Sequence, residues 1–349
     1  MTDVTVEKTP HDAVLVVSFG GPEGPDDVLP FLENVLRGRN VPRERMLEVS
    51  EHYSLFGGVS PINSHCRDLI TALEQELDAH QIELPIYWGN RNWHPMLTDT
   101  MEQMTRDGVR RALAFVTSAY SSYSSCRQYR ENILAAQEAI GANAPVVDKL
   151  RVFYNHPDFV AACIDRLQEA VADVGPESRS TFHIAFTAHS IPESMADGCD
   201  YAQQLMDVSR LAAESLGLKD GRWQLVYQSR SGSPHIPWLE PDICDHLEGL
   251  KANGVTDVIV MPIGFLSDHM EVIYDLDHEA RETCERIGLN MVRSKTVGTH
   301  PQFVTMIRKL IAERLFDADR ESVGTGPPRP DVCPGGCCPA PAIHPRGPE

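Results

Sequence analysis

The chain has 349 residues, of which 42% are hydrophobic and 23% are charged, so it can bury a large core and form about two domains. It carries 50 acidic residues against 31 Lys and Arg residues, and the net charge of −19 argues against binding to nucleic acid or anionic lipid. Its longest nearly unbroken apolar run covers residues 258–266. A membrane-spanning helix needs about 20 residues, so we expect no transmembrane segment.

The N-terminal sequence and the cysteines predict the cellular location of the protein. The first residues, MTDVTVEKTPHD, are partly acidic and lack the apolar stretch of a signal peptide, so we expect a cytoplasmic protein. The nine cysteines are an odd number and are widely spread. In a reducing compartment this favours metal binding or burial over a disulfide framework.

Short segments rich in Val, Ile and aromatic residues alternate with longer segments of helical periodicity, which predicts an α/β fold with parallel sheets covered by helices. Strands are predicted over residues 13–18, 85–89, 112–117, 183–188, 224–228, 257–262 and 290–293. Helices are predicted over residues 66–80, 127–139, 201–216, 241–253, 268–287 and 301–316. We expect two similar α/β domains, residues 12–145 and 146–299, with the helix within 300–318 packing back on the first domain.

A tail over residues 319–349 is rich in Pro and Gly and would be disordered by itself. It contains Cys333, Cys337 and Cys338 in the sequence CPGGCCPAP. Free cysteines are normally buried, and the tail has no core of its own, so metal ligation is the better interpretation. Zinc and iron–sulfur clusters both take four ligands. The fourth would be one of six cysteines of the folded body: Cys66, Cys126, Cys163, Cys199, Cys244 and Cys284.

Ligands of open parallel sheets bind beyond the carboxyl ends of the strands. No phosphate-binding G-x-x-x-x-G-K-[ST] motif or dinucleotide-binding G-x-G-x-x-G motif follows a predicted strand, which disfavours a nucleotide enzyme. His189 follows the strand sequence HIAFTA. Its imidazole can bind a metal or accept a proton, or it can simply bond to the loop backbone; the position at a strand end makes the two interpretations about equal.

Three carboxylates, Glu271, Asp275 and Glu279, are spaced four residues apart on a predicted helix, so they share one helix face. A solvated acidic face is the ordinary explanation of such a row. However, the helix emerges at the same sheet edge as His189. Carboxylate oxygens with one imidazole suit Fe(II) or Mg(II) at a site that must release the ion.

Together these segments resemble ferrochelatases, the enzymes that insert Fe(II) into a porphyrin in haem synthesis. The resemblance covers roughly residues 12–318 and is carried by SFGGP, FGGVSPIN, GNRNWHP, TAHSIP, YQSRSG and GFLSDHMEVIYDLDHE. It implies a lyase built from two doubly wound domains with the active site in the cleft between them.

The resemblance also implies roles for individual residues. His189 corresponds to the family's metal-binding and proton-accepting histidine, and Glu271 to its carboxylate partner. With Asp275 and Glu279, Glu271 resembles the acidic row of a π-helix along which the metal approaches. Porphyrin contacts are expected from Ser60, Tyr129 and Tyr53. Some relatives have a tyrosine at the position of Phe19, and phenylalanine cannot ligate the product iron.

The tail resembles the extension of ferrochelatases that carry a [2Fe–2S] cluster, with Cys163 as the ligand from the body beside Cys333, Cys337 and Cys338. Such an extension implies the actinobacterial branch, with coproporphyrin III as substrate. Four propionates would need basic groups, for which Arg37, Arg39, Arg91 and Arg230 are candidates.

Other functions stay open at this point. They are a ferrochelatase specific for protoporphyrin IX, a cobalt or nickel chelatase of the same fold, and a haem carrier or iron–sulfur sensor without activity. A transient contact with the next enzyme of the haem pathway is a further expectation.

Overall fold

The structure, a computed structural model, describes residues 10–38, 41–219, 221–232 and 235–341. The strands of these residues form two parallel sheets of four. The first sheet has the order β2-β1-β3-β4 and comprises β1 (Ala13–Ser18), β2 (Ile86–Asn90), β3 (Arg111–Val116) and β4 (Val146–Lys149). The second has the order β6-β5-β7-β8 and comprises β5 (His183–His189), β6 (Trp223–Gln228), β7 (Asp257–Met261) and β8 (Asn290–Arg293).

Both sheets repeat one topology, because in each the first strand of the half lies between the second and third. This confirms the predicted α/β class with two similar, doubly wound halves. The seven predicted strands are present with shifts of one residue at most at their ends. The sequence analysis missed β4, a four-residue edge strand whose sequence VVDK lacks a longer apolar run.

Helices cover both faces of each sheet. In the first half they are α1 (Val28–Val35), α2 (Arg43–Ser54), α3 (Ile62–Ala79), α4 (Leu97–Arg106) and α5 (Gln128–Ile140). The helices that follow are α6 (Pro157–Asp173), α7 (Glu193–Ala196), α8 (Tyr201–Ser215), α9 (Ile243–Ala252), α10 (Met270–Val272), α11 (Arg281–Ile287) and α12 (Pro301–Leu315). None of these helices is long and apolar enough to cross a membrane, as far as the described residues go.

Two π-helical segments interrupt this pattern. Tyr123–Arg127 leads into α5, and Ile273–Ala280 joins α10 to α11. The predicted helix over residues 268–287 is therefore one continuous helical element whose middle is π-helical. π-helical segments occur frequently at functional sites, and this one carries two of the three carboxylates of the predicted row.

Strand β1 shows why the sheets are buried on both faces. Its six residues are fully buried. Val14 and Val16 contact one core together with α3, while Leu15 and Val17 contact another core with α4 and α5. Successive side chains of a strand point to opposite faces, so a continuously apolar strand requires helices on both sides.

The two halves share one core. The largest cluster of buried apolar residues includes Val14 and Phe115 of the first sheet and Ile184 and Phe186 of the second. Helix α12 packs against both α3 and α6. It therefore contacts α3 of the first half and α6 of the second.

The boundary between the halves lies later than we predicted. Residues 146–149 form β4, which pairs with β3 and belongs to the first sheet. Directly after it, the guanidinium of Arg151 makes two 2.8 Å hydrogen bonds to the carboxylate of Glu313 on α12. Both side chains are almost completely buried, so the connection is a packed part of the core.

The tail is ordered against the body as far as residue 341. Asn155 donates to the carbonyl groups of Gly326 and Pro327 at 3.0 and 3.1 Å, and Arg329 forms a 2.9 Å ion pair with Asp200. Hydrogen bonds to the body thus take the place of the apolar core that the tail sequence lacks. The last eight residues of the predicted tail lie outside the described part of the chain.

Candidate active site

His189 is the last residue of β5, at the carboxyl end of the second sheet. Its Nδ1 bonds to the carbonyl oxygen of Ser190. A carbonyl only accepts, so Nδ1 carries the proton and the neutral ring keeps its lone pair on Nε2. The hydroxyl of Tyr201 donates to the His189 carbonyl at 3.0 Å, which fixes the backbone at this point.

Glu271, on α10, faces this lone pair. Its Oε2 lies 3.7 Å from His189 Nε2, and both side chains are partly exposed. Nδ1 of His269 lies 4.0 Å from the same oxygen. Burial lowers the pKa of His269 and so favours its neutral form. The structure therefore brings the predicted pair together and adds a second imidazole, which the sequence indicated only by its position two residues before Glu271.

The other two carboxylates continue the row along the π-helical segment. Asp275 accepts a hydrogen bond from the Ser229 hydroxyl. Burial, together with the charges of Glu271 and Glu279, raises its pKa to about 7. Glu279 lines a surface cavity of about 510 Å³ with Asp242 and Glu282. The row thus runs from the His189–Glu271 pair to an acidic opening.

Helices α1 and α2 cover the inner end of this row. Tyr53 of α2 packs in an apolar cluster with Phe31 of α1 and Met270 of α10. The negative charge of Glu271 adds to burial in raising the pKa of Tyr53. Next to it, the His52 ring stacks on Tyr274 of the π-helical segment, with centroids 3.7 Å apart and 5° between the planes.

The other predicted porphyrin contacts lie at the carboxyl ends of the first sheet. Ser60 and Tyr129 are buried. The guanidinium of Arg91 lies 4.6 Å from the centroid of the Tyr129 ring and 5.6 Å from that of Phe19. Phe19 also makes an edge contact with Phe31. These contacts form an aromatic wall with one arginine, a combination that can pack against a flat anionic ligand.

The remaining basic candidates are distributed around this region. Arg37 bonds to the Asn34 side chain at 2.5 Å, and Arg230 donates to the Ile236 carbonyl at 3.2 Å. Arg39 lies outside the described residues. Among the predicted basic residues, Arg91 is therefore the one that the structure places against the aromatic wall.

A group of thiols forms where the tail meets the body. Burial and the neighbouring thiols of Cys126 and Cys337 raise the pKa of Cys333, and they raise that of Cys338 to about 12. Cys199 is a further neighbour of Cys338. Arg127 donates to the Cys337 carbonyl at 3.1 Å, and Arg130 approaches its sulfur at 3.9 Å.

Cys163 is not part of this group. It is completely buried in the core on α6, and burial raises its pKa without any contribution from another thiol. Among the described residues, Cys126 is the body cysteine whose charge affects both Cys333 and Cys338. Cys126 was one of six candidates in the sequence, and spacing alone does not distinguish them.

Among the described residues, one group of side chains has its donor atoms at the mutual spacing of metal ligands, namely His156, Asp158 and Glu321. The ammonium of Lys309 lies 2.8 Å from Asp158 and 2.9 Å from Glu321. His156 Nδ1 accepts the Asp158 backbone N–H, so its Nε2 carries the proton. A lysine cation already pairs with both carboxylates, so the group forms an ion-pair cluster.

Comparison with known proteins identifies the family. The ferrochelatase family model matches residues 11–315. The chain is 53% identical to a coproporphyrin III ferrochelatase of Streptomyces coelicolor, over 99% of this chain and 97% of the relative. It is 54% identical to a ferrochelatase of Rhodopirellula baltica, over 95% and 94% of the two chains. A coproporphyrin III ferrochelatase of Nocardia farcinica is 47% identical over 94% of this chain and 96% of the relative.

Solved structures agree with this fold. The sirohydrochlorin chelatase SirB from Bacillus subtilis subspecies spizizenii, solved in complex with cobalt, matches with a TM-score of 0.51 at 12% identity, over 87% of this chain and 94% of its own. That likeness concerns the fold. The family match and the full-length relatives decide the identity: the chain belongs to the ferrochelatase family.

Proposed function

We propose that the protein inserts Fe(II) into coproporphyrin III to give iron–coproporphyrin III in haem biosynthesis. One observation carries the chemistry: His189 Nε2 and the Glu271 carboxylate lie 3.7 Å apart at the inner end of an acidic row. The names of the relatives support coproporphyrin III as the substrate. The Arg91 guanidinium against Tyr129 and Phe19 provides one positive charge for its propionates.

Insertion requires that a porphyrin loses two pyrrole N–H protons while the ion loses its water. His189 Nε2 has the free lone pair and serves as the proton acceptor. Because Nδ1 donates to Ser190, the ring becomes a cation when Nε2 takes up a proton. The carboxylate of Glu271 stabilises that cation and places the ion next to the proton acceptor. In the balanced reaction, the porphyrin and Fe(II) give the iron complex and two protons.

Asp275 and Glu279 supply the ion to this pair in our proposal. Carboxylate oxygens hold Fe(II) without the tight binding of thiolates, so the ion can move on. The raised pKa of Asp275, about 7, makes this group able to exchange a proton near neutral pH. The row therefore delivers Fe(II) to the His189–Glu271 pair and carries protons away from it.

We also propose that Cys126, Cys333, Cys337 and Cys338 hold a [2Fe–2S] cluster. Three observations support this: Cys126, Cys333, Cys337 and Cys338 are electrostatic neighbours, Arg127 and Arg130 contact Cys337, and thiolates bind iron in such clusters. A bound cluster would add a crosslink between the tail and the body. A zinc ion would use the same donors, and iron and sulfide analysis distinguishes the two.

A cytoplasmic location is part of the proposal. All nine cysteines are free thiols in the structure. A protein with this many free thiols keeps them reduced in a reducing compartment such as the cytoplasm.

The proposal is tested by replacing His189. We expect His189→Ala to lower the insertion rate by about 10²- to 10⁴-fold, the usual contribution of a general base, with porphyrin binding retained. The assay is the visible spectrum during anaerobic incubation with Fe(II) and coproporphyrin III. His80→Ala, at the exposed position directly after α3, is the matched control.

Four results would contradict the proposal. Unchanged turnover in His189→Ala would remove the histidine from the mechanism. If the natural protein inserted Co(II) faster than Fe(II), the metal substrate would be cobalt. If it metallated protoporphyrin IX faster than coproporphyrin III, the porphyrin substrate would be protoporphyrin IX. Tight haem binding without any turnover would indicate a carrier.

A further inference from the structure

The end of strand β6 contacts both His189 and the row of carboxylates. Gln228 is the last residue of β6 and is the register partner of His189 in β5. Its carbonyl accepts the Ser190 backbone N–H at 2.8 Å. The backbone of Gln228 therefore holds the turn that directs the His189 ring.

The side chain of Gln228 reaches the acidic row. Its Nε2 donates to the Glu271 carbonyl oxygen and to Asp275 Oδ2, both at 3.3 Å. Both partners are oxygen acceptors. The backbone carbonyl of Glu271 only accepts, so the amide presents its nitrogen to this side. One side chain thus ties the backbone of Glu271 and the carboxylate of Asp275 to the end of β6.

Gln228 is 1% exposed, and its Oε1 is buried without a partner among the described residues. An unpaired buried acceptor is destabilising and infrequent in folded proteins. The next residue, Ser229, has a φ of +59°, a conformation that L-residues seldom adopt. Its hydroxyl bonds to Asp275. Two locally unfavourable features therefore accompany the contacts to one carboxylate, as is common at functional sites.

We propose that Gln228 is a positioning residue that holds Glu271 and Asp275 at the distance from His189 required for handling the metal ion. It does not touch the reacting atoms itself. This inference depends on the proposed role of the acidic row and adds the residue that keeps the row in register with the histidine.

The test compares Gln228→Met, which keeps the size of the side chain but donates no hydrogen bond, with Gln224→Met at an exposed position of the same strand. We expect Gln228→Met to raise the KM for Fe(II) by about 10- to 100-fold, the effect of losing a hydrogen bond to a charged group. The kcat and the affinity for coproporphyrin III should change by less than about threefold. Gln224→Met should behave as the natural protein.

A second measurement does not depend on turnover. Mn(II) prefers carboxylates to thiolates, and the free ion can be counted by its EPR signal. Gln228→Met should bind Mn(II) at least about tenfold more weakly than the natural protein. If Gln228→Met does not fold, Gln228→Asn replaces it, because its shorter amide cannot reach both oxygens.

Equal KM and equal Mn(II) affinity in the variant would overturn the inference. It would also be overturned if porphyrin affinity and the melting temperature fell in parallel with the KM effect, since this would indicate a structural role only. Failure of the proposed function looks different. The natural protein would then insert no iron, while the Mn(II) comparison would still test Gln228.

Discussion

At the scale of single residues, hydrogen bonds assign the chemistry of the site. The contact of His189 Nδ1 with Ser190 selects the tautomer with a free Nε2, and Glu271 lies beside that atom. Asp275 is different, because burial opposes its charge. Neighbouring acidic groups therefore differ in environment: Glu271 is partly exposed and lies beside the imidazole, whereas burial raises the pKa of Asp275 to about 7.

The raised pKa of Asp275 predicts a pH-dependent stability. The ordinary value is 3.8 and the folded value is about 7. Between about pH 4 and 7 the folded state holds a proton that the unfolded state has released, so stability falls as pH rises. Asp275→Asn has no such proton. We expect this variant to exceed the natural protein in stability at pH 8, by at most about 4 kcal/mol, and to match it at pH 4.

Thermal unfolding at both pH values checks this prediction. Asp68→Asn, at an exposed position of α3, serves as the control and should leave the pH dependence unchanged. A variant at position 275 with the same pH dependence as the natural protein would show that Asp275 is ionised throughout this range.

The sequence located His189 and the carboxylate row because parallel strands present their last residues at one edge, and residues four apart share a helix face. It did not identify Gln228 or Cys126. Gln228 is one of several polar residues at strand ends, and its role depends on the register between β5 and β6. Choosing Cys126 over Cys163 requires knowing which helix the tail crosses, and that contact is not encoded by cysteine spacing.

At the scale of elements, α2 packs against the π-helical segment that carries two carboxylates of the row. The periodicity of residues 268–287 predicted a helix, and only the family resemblance implied its π-helical middle, because a π-helix has no distinct apolar pattern of its own. His52 and Tyr274 connect the two elements by ring stacking. Since Tyr53 also lies near Glu271, we expect a porphyrin bound at His189 to lie beneath α2.

We therefore predict that His52→Ala accelerates porphyrin exchange. An aromatic pair contributes about 0.5–1.5 kcal/mol beyond its buried area, so the dissociation rate of coproporphyrin III should rise by up to about tenfold. Stopped-flow porphyrin fluorescence measures this rate. Glu51→Ala, an exposed neighbour on α2, is the control. Equal rates in all three proteins would mean that α2 does not restrain the porphyrin.

At the scale of the whole molecule, the two halves and the tail form one packed unit. The sequence predicted two similar halves from the repeated βα order, but it placed their boundary before β4. The shared core and the buried Arg151–Glu313 pair involve residues far apart in sequence. Local patterns carry no information about such contacts, and the same limit applies to the docking of the tail.

The position of the tail leads to a prediction that separates two ligand sets. If Cys126 completes the thiol group, as the neighbours of Cys333 and Cys338 indicate, Cys126→Ser should lose the iron and acid-labile sulfide of the purified protein. Cys163→Ser should keep both, because Cys163 lies in the core of α6. Both are buried thiol-to-hydroxyl changes, so each controls for the destabilisation caused by the other.

Iron and sulfide analysis with the visible spectrum distinguishes the outcomes. Loss of the cluster in Cys163→Ser with retention in Cys126→Ser would restore the ligand that the sequence suggested and would require the tail to reach α6. If the natural protein contained zinc and no iron or sulfide, the proposed ligands would remain, but the bound metal would be zinc. In each case the melting temperature should fall with loss of the bound metal, since metal binding that joins the tail to the body adds to folding stability.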